Sequence, residues 1–94
     1  MESEMTASAD IIMYSTNYCA YCQRARSLFD RKGVSIQEIK IDESPEQRDI
    51  MLKRSAGRRT VPQIFIGERH VGGYDDLAAL DRTGELDKLL GKSS

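Results

Sequence analysis

Cysteine and histidine are scarce in this 94-residue chain: Cys19 and Cys22 are its only cysteines and His70 its only histidine. A structural zinc site needs four ligands, and a second Cys-x-x-Cys to match the first is missing, so a zinc site within one chain is not expected. Long apolar runs are also missing. Nothing approaches the ~18 residues of a membrane-spanning helix, and "MESEMTASAD" has neither a basic start nor an apolar h-region. The chain therefore reads as soluble, unexported and cytoplasmic, where two thiols are not expected to serve as a structural staple. A charge excess is absent too, with 14 Lys+Arg against 15 Asp+Glu. That argues against nucleic acid as a partner, since such binding announces itself as a basic excess. The length leaves room for one small domain and no second catalytic one. What remains for the cysteines is a reactive pair, or a metal group shared between two chains.

The elements follow from periodicity. Residues 1–10 lack any, so they read as a loose tail, with Met5 a possible natural start. "IIMYS" (11–15) has the length and branching of a buried strand. Cys22, Ala25, Leu28 and Phe29 then recur at near-helical spacing, and Arg31, Lys32 and Gly33 form a helix end. "VSIQEIKI" (34–41) alternates as a half-buried strand does. A second helix is expected from Pro45 to Ser55, capped by Ser44 and closed by Gly57. "TVPQIFI" and "RHVGG" read as two strands around a tight turn at Gly67-Glu68. "YDDLAALDRTGELDKLLG" reads as one or two helices broken near Gly84. The order predicts an α/β fold, a four-stranded mixed sheet with helices on both faces. One domain over 11–91 is expected, with short tails at 1–10 and 92–94.

The chemistry concentrates in "CAYC", between a strand and a helix. Residues three apart on a helix share a face with beta carbons about 5–6 Å apart, so a disulfide can open and close there without refolding. Cys19 falls where the first turn leaves N–H groups unpaired and the helix dipole favours negative charge. Cysteines so placed are more acidic than free thiols. Cys22 falls one turn further in, on the apolar face. Cys19 is thus the expected nucleophile and Cys22 the resolving thiol.

With "CAYC" after the first strand, "TVP" before the third and "GGYDD" after the fourth, the chain resembles a dithiol glutaredoxin of the small bacterial type, from Ile11 to Leu90. The resemblance implies a thioredoxin-like fold with a cis peptide before Pro62, and glutathione as reducing co-substrate. It implies that Tyr21 lies beside glutathione and that Thr60 and Val61 are backbone partners for the tripeptide, held by Pro62. Gly73, Tyr74, Asp75 and Asp76 would hold the γ-glutamyl end, and Arg58 or Arg59 would meet the glycyl carboxylate. The charges match, because glutathione carries two carboxylates and one ammonium. The implied activity is glutathione-dependent reduction of protein–glutathione mixed disulfides and protein disulfides, by a monomer.

The chain departs from the family twice. Ala20 stands where many members have proline, and Thr16 where many have lysine. Two alternatives accompany the main reading. One is a [2Fe-2S] cluster between two chains, ligated by Cys19 of each and by two glutathiones, for which Ala20 is the sequence motive. The other is a dedicated electron donor to an enzyme such as ribonucleotide reductase, recharged by a flavin reductase, against which "GGYDD" speaks. Plainer expectations stand beside these. His70 reads as a surface residue, "KRSAGRR" as a solvated helix end, and Asp75 and Asp76 as carboxylates that stabilise a helix start with or without a ligand. The plainer reading of Gly72-Gly73 is backbone freedom alone.

Overall fold

The computed structural model describes residues 10–91; the tails read from the sequence and the candidate start at Met5 lie outside the described residues, apart from Asp10. The chain runs β1 (Ile11–Ser15), α1 (Ala20–Arg31), β2 (Gln37–Lys40), α2 (Pro45–Arg54), β3 (Gln63–Ile66), β4 (Arg69–Gly72), α3 (Tyr74–Thr83) and α4 (Glu85–Leu89). The four strands form one sheet in the order β2-β1-β3-β4. β1 pairs parallel with β2, Met13 opposite Glu38, and antiparallel with β3, Met13 opposite Ile64. β3 and β4 close the sheet as an antiparallel hairpin whose turn glycine, Gly67, has φ of 60°. This is the mixed sheet with flanking helices that the sequence predicts.

Strand alternation sorts side chains onto two faces. Ile11 and Met13 of β1 and Ile64 and Ile66 of β3 meet Cys22, Ala25, Leu28 and Phe29 of α1, Leu77 of α3, and Leu86 and Leu90. Tyr14 and Phe65 turn the other way and pack with Ile41 and with Met51 of α2. Val61 touches both clusters from the loop that precedes β3.

Element ends differ from the sequence reading in three places, each for a local reason. β2 keeps only the second half of "VSIQEIKI". Val34 is still tied to the end of α1 through its N–H to Phe29 O (3.3 Å), and Val34 and Ile36 pack on the core from outside the ladder. β3 begins at Gln63 because Pro62 has no N–H to give a ladder. The Val61–Pro62 peptide is cis. α2 ends at Arg54, with Ser55 as its cap and Ala56, a non-glycine, at φ of 59° before Gly57 at 90°. Gly57 N–H then closes on Leu52 O at 2.7 Å. Ser44 caps the other end, its hydroxyl accepting from Gln47 N–H at 3.4 Å. Gly84, with φ of 83°, separates α3 from α4.

One polar bridge ties α1 to the sheet. Arg26 donates through Nε to Glu38 Oε1 (2.9 Å) and through Nη2 to Oε2 (2.6 Å), and the buried Ser15 hydroxyl donates to the same Oε2 at 2.6 Å. The guanidinium holds the Glu38 carboxyl below the usual carboxylate range, with Ser15 assisting against the cost of burial.

Candidate active site

Cys19 is the N-cap of α1, its backbone extended at φ −145° and ψ 105°. Its sulfur therefore takes the place a serine or aspartate oxygen usually fills, and accepts the Cys22 N–H at 3.1 Å. As a thiol, Cys19 also makes a long contact of 3.8 Å to Val61 O, which brings α1 against the loop before β3. Ala20 occupies the first helical position and is exposed. Cys22, one turn on, is fully buried in the cluster under α1. Burial, and then its hydrogen bond with Cys19, push the Cys22 thiol up to about 12, against a smaller lowering by the Thr16 backbone. Both cysteines are free thiols. One sulfur is open to attack a substrate, and the other stays protonated in the core.

Beside Cys19 lies a cleft of about 300 Å³ lined by Tyr21, Arg58, Thr60, Val61, Pro62, Gly73, Tyr74, Asp75 and Asp76. Three elements build it: the first turn of α1, the loop into β3, and the start of α3. The Tyr21 ring, 54% exposed, stacks on Tyr74 at 6.3 Å with the planes 29° apart. Arg24 lies 5.4 Å from the centre of the Tyr21 ring. Across the cleft, Arg58 Nη2 stands 3.9 Å from Asp76 Oδ2. The same Oδ2 accepts the Gly73 N–H at 3.0 Å and so caps α3. Asp75 is exposed and has no ion-pair partner among the described residues. The cleft lining thus offers a cation, two carboxylates and backbone groups.

Of the residues singled out in the sequence, the structure gathers all but Arg59 around Cys19 and this cleft. Arg59 is exposed and does not line it. Between the two glycines the roles divide. Gly72 has φ of 115°, and a Cβ there would run into the Asp76 carboxylate and lie 3.1 Å from Arg58. Gly73 has an ordinary backbone, where a Cβ would meet Pro62 O at 3.5 Å. His70 corrects a reading. It is half-buried rather than a surface residue, stacked on Phe65 at 4.7 Å and bonded through Nε2 to Gln63 Oε1 at 2.7 Å. The sequence reading also passed over Gln63 itself, fully buried at the start of β3. Its signal was a polar residue opening the otherwise apolar "QIFI".

A larger open cleft of about 640 Å³ lies at the other end of β1, between Asp10–Ile12, Gly33–Gln37 and Leu90. It holds no thiol and only Asp10 as a titratable group, so the smaller cleft is the candidate site. Among the described residues no three His, Cys, Asp or Glu side chains are gathered as metal ligands, and no helix is long and apolar enough to cross a membrane.

Comparison with known proteins places these features in one lineage. Residues 11–71 match the Glutaredoxin family. A glutaredoxin of Pseudomonas aeruginosa is 58% identical over 80 residues, covering 85% of this chain and 94% of the relative. Glutaredoxin 3 of Escherichia coli strain K12 is 54% identical over 82 residues, covering 87% and 98%. Among solved structures, a buckwheat glutaredoxin–glutathione complex superposes with a TM-score of 0.78 at 36% identity, over 93% of this chain and 81% of that one.

Proposed function

The chain belongs to the glutaredoxin family and is a thiol–disulfide oxidoreductase with Cys19 and Cys22 as its redox pair, and from that premise we propose that glutathione is its reductant and that the cleft beside Cys19 binds it. The observation that carries this reading is the cleft's charge layout next to an open sulfur. Arg58 suits the glycyl carboxylate, the exposed Asp75 suits the ammonium, and the N–H groups at the start of α3 suit the γ-glutamyl carboxylate. The backbone of Thr60 and Val61, ahead of Pro62, offers the peptide between them its hydrogen-bonding groups. Tyr21 and Tyr74 wall one side. Asp76 acts by capping α3 and holding Arg58 near.

On a protein–glutathione mixed disulfide, the Cys19 thiolate attacks the glutathionyl sulfur. The substrate sulfur leaves as a thiolate and takes a proton, and glutathione stays disulfide-bonded to Cys19. A second glutathione thiolate attacks the glutathionyl sulfur, releases oxidised glutathione and restores the Cys19 thiolate. On a protein disulfide, Cys19 is left bonded to the substrate instead. Cys22 loses its proton and attacks the Cys19 sulfur, the substrate leaves as a dithiol, and two glutathiones reduce the Cys19–Cys22 bond. The timing follows from the causes of the Cys22 shift. Burial persists, but the hydrogen bond and the charge of Cys19, which also hold the proton on, disappear once Cys19 is in a mixed disulfide.

The protein is proposed to act as a cytoplasmic monomer on glutathionylated and disulfide-containing proteins. The test is turnover of a glutathionylated peptide coupled to glutathione reductase. Turnover that saturates with glutathione is expected, and none at any glutathione concentration would overturn the reading. A second reading, the [2Fe-2S] cluster between two chains, asks for one accessible thiol per chain, and the contrast of half-buried Cys19 with fully buried Cys22 favours that stoichiometry. Anaerobic reconstitution with iron, sulfide and glutathione tests it. A brown dimer whose colour survives Cys22→Ser and is lost in Cys19→Ser supports it, and a colourless monomer ends it.

A further inference from the structure

The loop before β3 has little regular backbone bonding to hold it. Residues 58–62 lie outside every helix and strand, and Pro62 has no N–H to contribute. Among the described residues, three side chains hold its carbonyls. The Ser55 hydroxyl donates to Arg58 O at 3.1 Å, and the Cys19 thiol makes its long contact to Val61 O. The third is Gln63, whose Nε2 donates to Thr60 O at 2.9 Å and to Thr60 Oγ1 at 3.1 Å. Only the last grips the loop where it lines the cleft by both backbone and side chain.

The orientation of that amide is decided by chemistry. A peptide carbonyl only accepts, so the Gln63 nitrogen must face Thr60 and its oxygen must face away. The oxygen meets His70 Nε2 at 2.7 Å, which requires Nε2 to carry a hydrogen. Neutral His70 with Nε2–H and protonated His70 both satisfy this, so the contact tolerates either charge state. Gln63 is fully buried and His70 is braced by its stack on Phe65. A flipped amide would set two donors against each other, and oxygen against oxygen, where water has poor access.

We propose that Gln63 is a positioning residue for glutathione, its amide aligned by the His70 Nε2–H so as to fix Thr60 and Val61 in the shape that the tripeptide backbone reads. The proposal rests on the glutathione reading above. Gln63 touches neither the reacting sulfurs nor the ligand and acts through the loop. The polar thread starts on β4, crosses β3 and ends at the cleft, so the outer strand of the sheet contributes to recognition.

Three variants test it. Gln63→Met keeps the volume and removes every polar contact, Gln63→Glu keeps an acceptor for His70 but puts oxygen against Thr60 O, and His70→Phe keeps the stack and removes the donor. The expected result with a glutathionylated peptide is a glutathione KM raised about tenfold in both Gln63 variants and about threefold in His70→Phe, with kcat changed less than about twofold. The backbone amide resonances of Thr60 and Val61 should shift in all three. A merely structural role would lower thermal stability without this split between KM and kcat. Unchanged glutathione KM in the folded variants overturns the proposal, and His70→Phe decides it alone if the Gln63 variants do not fold. Wild-type protein without glutathione-dependent turnover would instead defeat the underlying function.

Discussion

The two faces of the sheet are built from different materials. Beneath α1, α3 and α4 the packing is apolar almost throughout, from Ile11 and Met13 to Phe29, Leu77 and Leu86, and Cys22 is sealed into it. Beneath α2 the buried cluster is only Tyr14, Ile41, Met51 and Phe65. Polar groups finish that face. Arg54 sits 4.1 Å over the Phe65 ring and donates to the Tyr14 hydroxyl at 3.2 Å, while His70 and Gln63 lead on to Thr60. The first face supplies stability and a thiol that stays protonated. The second supplies geometry to the loop beside the reactive sulfur. A small domain with one substantial core can keep its other face polar, provided each buried polar atom has a partner.

The largest expected effect tests where the reactive sulfur ends and the sealed one begins. Cys19→Ser should abolish all exchange. Cys22→Ser should keep turnover of a glutathionylated peptide and lose activity that passes through the internal disulfide. Equal loss in both variants on that peptide would erase the distinction between the open and the sealed cysteine.

Next in size is the energetic contrast between the faces. Phe29→Ala, which removes a ring from the apolar face, should cost about 3–5 kcal/mol of unfolding free energy. Glutathione KM in whatever fraction stays folded should not move. Chemical denaturation and steady-state kinetics on the same samples check both halves, and a KM that rises with the loss of stability would break the assignment of recognition to the other face.

The cleft itself comes third. Asp75→Ala and Arg58→Ala each remove one charged partner worth about 1.5–3 kcal/mol, so glutathione KM should rise roughly tenfold or more in each. Arg59→Ala, from outside the cleft, should change it less than about twofold by comparison. An Arg59 effect as large as that of Arg58 would mean that the loop rearranges when glutathione binds.

The smallest effect concerns the ionic bridge that joins α1 to β2, Arg26 with Glu38. The Glu38 carboxyl is held below its ordinary range by Arg26. Its contribution is therefore present above the ordinary range of a glutamate and is lost as pH falls through the lowered value of the folded state. Glu38→Gln should cost about 1 kcal/mol at neutral pH, and its deficit relative to wild type should shrink under acid conditions. Melting temperatures measured from neutral pH downward follow this, and a gap that widens in acid would reverse the sign.

Most of the architecture was legible because it is local or periodic. Apolar spacing located α1, the cap at Ser44 located α2, and Gly67 and Gly84 marked the turn and the break between helices. Cys19 and Cys22 could be told apart from their positions along one helix, because an N-terminus and an apolar face are properties of that helix alone. Strand ends were less legible. Where β2 begins depends on how Val34 is tied to Phe29, and where β3 begins depends on Pro62, so the pairing itself sets the limits.

The sequence by itself determined the order of elements, the dithiol at a helix start and the near-neutral charge, since each depends on residues near one another in the chain or on composition. Only the tertiary structure decided that Arg58 rather than Arg59 lines the cleft, that Asp76 caps α3 while Asp75 stays open, and that His70 is drawn inward. It alone joined His70 through Gln63 to Thr60. Antiparallel pairing of β3 with β4 sets Phe65 opposite His70, and strand alternation turns both, with Gln63, toward the same face. Hydrogen bonds of this kind are made across strands and loops, and no local pattern of residues records which partner the fold will bring within reach.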